Sequence, residues 1–159
     1  MCDMEIHATN DFAATVDDVF AMLTDRVFLR AVCLASEPLD HEVSVDGLRT
    51  RTRRVMPTPS VVGRLTGPTM AVIDEIAWDA PPVSGATAGT AHITVEGLPA
   101  ELVGKVRLVG GGKGAVLTYT GELTVRVPVL GSSLARQAAP LLLEALEIQQ
   151  RVGDEFLAR

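Results

Sequence analysis

Aromatic residues are scarce: the 159-residue chain holds four Phe, one Tyr and one Trp, 4% of its composition. That argues against a surface that stacks nucleic-acid bases and against an aromatic cage around a cation. There are only two cysteines, Cys2 and Cys33, too far apart for a CxxC pair. They read as free thiols rather than a disulfide framework. The three histidines, His7, His41 and His92, show no metal-ligand spacing with each other or with the cysteines, so neither a metal nor another cofactor is expected. No apolar run approaches the roughly 18 residues of a membrane span. Asp3 and Glu5 stand where a signal peptide needs basic and then apolar residues, and Cys2 lacks the apolar segment that precedes a lipoprotein cysteine. The expectation is a cytoplasmic protein without integral membrane association.

What the chain does have is aliphatic bulk. It is 47% hydrophobic, with 20 Val, 19 Ala and 18 Leu supplying most of that set. At this length a folded chain buries about 68–70% of its unfolded surface, so no staple is needed. With no internal repeat and no low-complexity linker, residues 1–159 read as a single domain. The net charge of −6 is unevenly spread. Residues 1–48 hold 10 acids and 2 bases, and the stretch 49–64 holds five arginines (49, 51, 53, 54 and 64) and no acid.

Residues 4–12 alternate loosely and predict a first strand. Thr15 can cap a helix whose first turn carries Asp17 and Asp18. Thr24-Asp25 can cap a second short helix ending near Ser36. Asp46-Gly47 predicts a type I′ hairpin in which Val45 faces Leu48, Glu42 faces Arg51, Asp40 faces Arg53 and Leu39 faces Arg54. Residues 60–65 suggest one helical turn or an irregular crossing. Strands are expected over 69–79, 87–96, 102–109 and 115–127. Ser132 or Ser133 can cap a final helix reaching Ala158, about 39 Å long. Its apolar stripe is Leu134, Ala138, Leu141, Ala145, Ile148, Val152 and Phe156, with Pro140 a kink or an N-terminal turn.

This order of elements, with Val19-Phe-Ala-Met-Leu-Thr-Asp25, His41-Glu-Val-Ser-Val45, Arg54-Val-Met-Pro57, Trp78, Val127-Pro-Val-Leu-Gly131 and Arg151-Val-Gly153, resembles the START-like (SRPBCC, polyketide cyclase-like) superfamily. The resemblance spans nearly the whole chain and is nearest to an uncharacterised bacterial branch, a domain of unknown function. It implies an α+β helix-grip fold. In that fold a curved antiparallel sheet of about seven strands wraps a long C-terminal helix, two short helices follow strand 1, and an apolar cavity lies between sheet and helix. It implies no particular reaction, because one fold carries many functions.

The candidate site residues follow from strand parity. Arg54 shares the inward face with His41 and Thr52, and a buried arginine needs a partner, for which Asp74 has the right parity. His41, Arg54 and Asp74 would form a polar end to an apolar cavity. Tyr119 and Trp78 also have inward parity; either can orient a ligand or serve as a core aromatic. Gly89, Gly104 and Gly121 point inward on adjacent strands and either leave room for a ligand or permit sharp sheet bending. His92 falls on the outer face. The other arginines read as a charge-paired outer face rather than a nucleic-acid patch. The run Gly110-Gly-Gly-Lys-Gly114 fails the dinucleotide and P-loop contexts and reads as a hairpin loop, and no Gly-x-Ser-x-Gly elbow exists.

The function expected is binding or transport of a hydrophobic or amphipathic small molecule, lipid-like or polyketide-like, with no nucleic-acid partner. Two alternatives stay open. One is a cyclase, aromatase or dehydratase using His41, Asp74 and Tyr119 in the same cavity; the other is an interaction module with a filled core. A homodimer is compatible with the sequence.

Overall fold

The computed structural model describes residues 2–60, 63–64 and 67–159. Strand β1 (Cys2–Phe12) is followed by helices α1 (Val16–Leu23) and α2 (Arg26–Ala35). Six strands come next: β2 (Asp40–Asp46), β3 (Arg49–Pro57), β4 (Thr69–Trp78), β5 (Ala86–Val95), β6 (Leu98–Gly111) and β7 (Gly114–Val125). Helix α3 (Gly131–Leu157) ends the chain. All seven strands form one antiparallel sheet in the order β1-β7-β6-β5-β4-β3-β2. The chain therefore crosses from one edge to the other through α1 and α2, then meanders back until β7 pairs with β1. This α+β arrangement is the helix-grip fold. Of the turn expected over residues 60–65, Ser60 and residues 63–64 are helical, while residues 61, 62, 65 and 66 lie outside the described residues.

The expected caps form on the short helices. Thr15 accepts from the Asp18 amide at 3.1 Å, and Asp25 from the Val27 amide at 2.7 Å. Helix α3 departs from expectation: it begins at Gly131 with no side-chain cap, and Ser132 and Ser133 lie inside its first turn. Its 27 residues extend about 40 Å. Pro140 sits well inside it, so it does not mark the N-terminal turn.

The β2–β3 hairpin forms with its register slid by two residues. The loop is Gly47-Leu48, and Asp46 pairs with Arg49. Gly47 takes φ +58° at the first central position, as a type II′ turn requires. A slide of two preserves both faces but changes every partner. Arg51 now faces Ser44, Arg53 faces Glu42 and Arg54 faces His41. The outer arginines find acids from β4 and from the β5–β6 turn instead: Arg51 lies 3.9 Å from Glu75, and Arg53 binds Glu96 through two hydrogen bonds of 3.0 Å. His92 is exposed and meets Glu101 at 2.9 Å.

The inner face of the sheet packs in two clusters. One joins Phe12, Val19, Met22, Phe28, Trp78 and Leu117 beneath α1, α2 and the end of α3. The other joins Ile6, Leu102, Leu123, Val125 and Leu134 beneath the start of α3. Leu141, placed by its spacing in the buried stripe, is 47% exposed, because the helix there bridges an open space rather than a filled core. At the far end the packing is tight: a Cβ on Gly153 would stand 2.5 Å from Phe12 Cε1 and 3.2 Å from Met22 Cε. Gly153→Ala is therefore expected to cost about 1–3 kcal/mol through overpacking. Urea unfolding measures this, and an unchanged midpoint would contradict it.

Candidate functional site

The open space under α3 has two lobes that share seven lining residues, among them Arg54, Ile93, Leu102 and Ala145. The outer lobe, about 440 Å³, is walled by aliphatic side chains such as Met56, Met70, Leu123 and Leu134, with Glu37 and Glu144 at its lining. The inner lobe, about 100 Å³, collects the polar groups: Cys33, Thr52, Arg54, Asp74, Tyr119 and Gln149.

Register explains the inner lobe. One row across the sheet runs Ile76–Ala91–Gly104–Gly121–Ile6. Three successive inward positions there are alanine or glycine, so the floor is largely backbone. The glycines are also demanded by the sheet itself. A Cβ on Gly104 would run into the Thr120 carbonyl and come within 2.7 Å of Gly121 Cα, and one on Gly121 would sit 2.9 Å from the Val103 carbonyl. Gly89 likewise would drive a Cβ into the Ala77 carbonyl. Close approach of neighbouring strands thus requires the glycines, and their missing side chains leave space above Gly104 and Gly121.

Arg54 lies opposite Val72, and Asp74 opposite Thr52, so the two charges sit diagonally on neighbouring strands. Among the described residues neither makes an ion pair within 4 Å or a side-chain hydrogen bond. Asp74 and Tyr119 each keep part of their surface, and both line the inner lobe. Burial raises the Asp74 carboxyl to about 6, against the pull of Arg54 and with a smaller push from Glu75. Burial also pushes up the Tyr119 phenol, partly offset by a hydrogen bond from Gln149 and helped by Asp74. The Cys33 thiol is raised by burial, lowered by Arg54 and raised by Asp74. Gln149 Nε2 donates to Tyr119 Oη at 3.0 Å and to Asn10 Oδ1 at 2.8 Å, which ties the lobe to β1.

Residues 7–157 match the family described as Protein of unknown function (DUF2505). The chain belongs to that family. No curated protein matches the sequence. Among solved structures, TTHA0849 from Thermus thermophilus is 19% identical, with 97% of this chain and 95% of that one covered and a TM-score of 0.62. Protein Ms6760 from Mycobacterium smegmatis is 19% identical, covers 98% and 90%, and has a TM-score of 0.59. Truncated norcoclaurine synthase from Thalictrum flavum is 13% identical, covers 98% and 94%, and has a TM-score of 0.60. At these identities the likeness shows the fold, consistent with a START-like fold, and carries no activity.

In this DUF2505 chain, Arg54, Asp74, Tyr119, Gly104 and Gly121 line one lobe. His41 does not join them: it is half-buried on the edge strand β2, facing Arg54 in register, and lines neither lobe. Trp78 lines neither lobe either. It is 4% exposed in the first core cluster, edge-on to Phe20 at 5.4 Å. The sequence singles out neither Gln149 nor a site role for Cys33, and it places Thr52 on the inward face without a role. Gln149 had one signal, a polar residue four positions after Ala145 and beside the apolar stripe.

The Asp74 shift has a consequence for stability. Its folded pKa lies above the ordinary value of 3.8, so the native state holds a proton that the unfolded chain releases between about pH 4 and 6. Stability from this group is greatest at low pH and falls as pH rises through that window. Asp74→Asn is therefore expected to stabilise the protein at neutral pH by about 1–3 kcal/mol and to flatten the fall between about pH 4 and 6. A pH series of urea unfolding curves reads both effects, and a variant less stable than the parent at neutral pH would contradict the assignment.

Proposed function

We propose that the protein, acting as one domain, non-covalently binds an apolar or amphipathic small molecule, lipid-like or polyketide-like, in the space between sheet and α3. The supporting observation is the pair of adjoining lobes, which share seven lining residues: about 440 Å³ with largely aliphatic walls beside about 100 Å³ lined by polar groups. The volume of the outer lobe falls in the usual range for ligand pockets. Burial of the ligand body supplies the affinity, about 25 cal/mol per Å² of apolar surface before the costs of association. Arg54, Asp74 and Tyr119 supply orientation.

A second reading has one observation behind it. Asp74, with its carboxyl near 6, shares the lobe with Tyr119, and perturbed titrating groups in a cleft suit acid–base chemistry. His41, the third group of the cyclase-type reading, lies outside the lobes, which leaves that reading with two groups. The interaction-module reading needs a filled core, and two adjoining cavities lie under α3.

Native mass spectrometry and solvent extraction of the purified protein test for a retained ligand, and titration with the neutral dye N-phenylnaphthylamine tests for a bindable one. Ala145 lines both lobes, so a tryptophan there fills their junction. Ala145→Trp is expected to weaken dye binding roughly tenfold or more while circular dichroism stays native. Unchanged dye affinity in a folded Ala145→Trp protein, or no dye binding by the parent, would overturn the proposal.

A further inference from the structure

The inner lobe carries one charge of each sign, and neither is used up by a protein partner. Among the described residues, Arg54 and Asp74 form no ion pair within 4 Å and no side-chain hydrogen bond. Tyr119 Oη accepts from Gln149, and its own O–H has no acceptor within hydrogen-bond distance among the described residues. Three polar groups therefore keep capacity toward the cavity: a guanidinium that donates, a phenol that donates and a carboxylate that accepts.

The other walls leave that balance intact. The side of the lobe formed by α2 offers Leu29, Val32 and the thiol of Cys33, and the side formed by α3 offers no charged residue, only Gln149 and aliphatics. Lys105 borders the lobe beside Gly104, but it is exposed and has the outward parity of its strand. A bound carboxylate would gain Arg54 and be repelled by Asp74; a bound ammonium would gain Asp74 and be repelled by Arg54. At about 25 cal/mol per Å² the aliphatic tail contributes the same in either case, so the head decides between ligands of one chain length. An uncharged group that both donates and accepts satisfies all three polar groups at once. The outer lobe adds to the case against anions, because Glu37, Glu101 and Glu144 are among its lining residues.

We propose that the inner lobe selects an uncharged polar head, such as an alcohol, a primary amide or a phenol, on an aliphatic body seated in the outer lobe, and discriminates against carboxylate and ammonium heads. This rests on the ligand-binding reading above. Four ten-carbon probes test it by displacing N-phenylnaphthylamine at about pH 8, where Asp74 is ionised: decanol, decanamide, decanoate and decylammonium. The alcohol and the amide are expected to bind roughly tenfold more tightly than either ion. In Asp74→Asn, decanoate should gain roughly tenfold relative to decanol. In Arg54→Gln the gain should pass to decylammonium. Should either variant misfold, the ranking in the parent protein decides. An ion binding as tightly as the alcohol in the parent overturns the head-group inference and leaves the cavity reading standing. No binding of the dye or of any of the four chains overturns both.

Discussion

The site depends on a polar lock between the end of α3 and strand β1. Gln150 donates to the Asp11 carbonyl at 2.7 Å and accepts from the Asp11 amide at 2.8 Å. One stretch of sheet edge is closed by one side-chain amide, on an edge strand whose free backbone groups would otherwise face water. Beside it, Asn10, only 3% exposed, donates to the Leu146 carbonyl at 3.1 Å and accepts from Gln149. Each bond contributes modestly, but leaving buried Asn10 unpartnered would cost its full desolvation. The lock fixes where α3 leaves the packed cluster around Phe12 and Gly153. From there toward its N-terminus the helix spans the face of the sheet and is packed again where Leu142, Ala139 and Ala138 lead to the buried Leu134 and Ala135.

The cavity is the space those two anchor points cannot fill. The close approach of β6 and β7 needs glycine at 104 and 121, and the same glycines remove the side chains that would have filled the inner lobe. Packing and emptiness thus share one cause. The polar groups at the inner end tolerate this because the lobe gives them room for water or a ligand. Gln149 belongs to both systems: it is part of the lock to Asn10 and the donor that orients Tyr119.

Much of the architecture was legible because periodicity reports faces directly. The succession of strands along the chain, the two capped helices and the inward parity of Arg54, Asp74, Tyr119, Gly104 and Gly121 all follow from alternation and capping chemistry. The hairpin shows where such reasoning stops. Asp46-Gly47 allows a loop on either side of the glycine, and Gly47 in the first central position chose the other one. Parity survived, because a slide of two residues keeps the faces, but the ion pairs moved from β2 to Glu75 and Glu96. His41 and Trp78 have inward parity too. Parity alone does not tell which inward residues meet a void and which meet a neighbour.

By itself the sequence determined the elements, their faces and the presence of an inward arginine with an inward aspartate on the next strand, because these depend on local spacing and on the period of two. The tertiary structure alone decided that Arg54 and Asp74 stand diagonally without contact, that Tyr119 from the far side of the sheet joins them, and that α3 leaves a two-lobed space above backbone. Those facts depend on sheet curvature and on where a 27-residue helix is anchored, and both arise from contacts between residues far apart in the chain, such as Asp11 and Gln150.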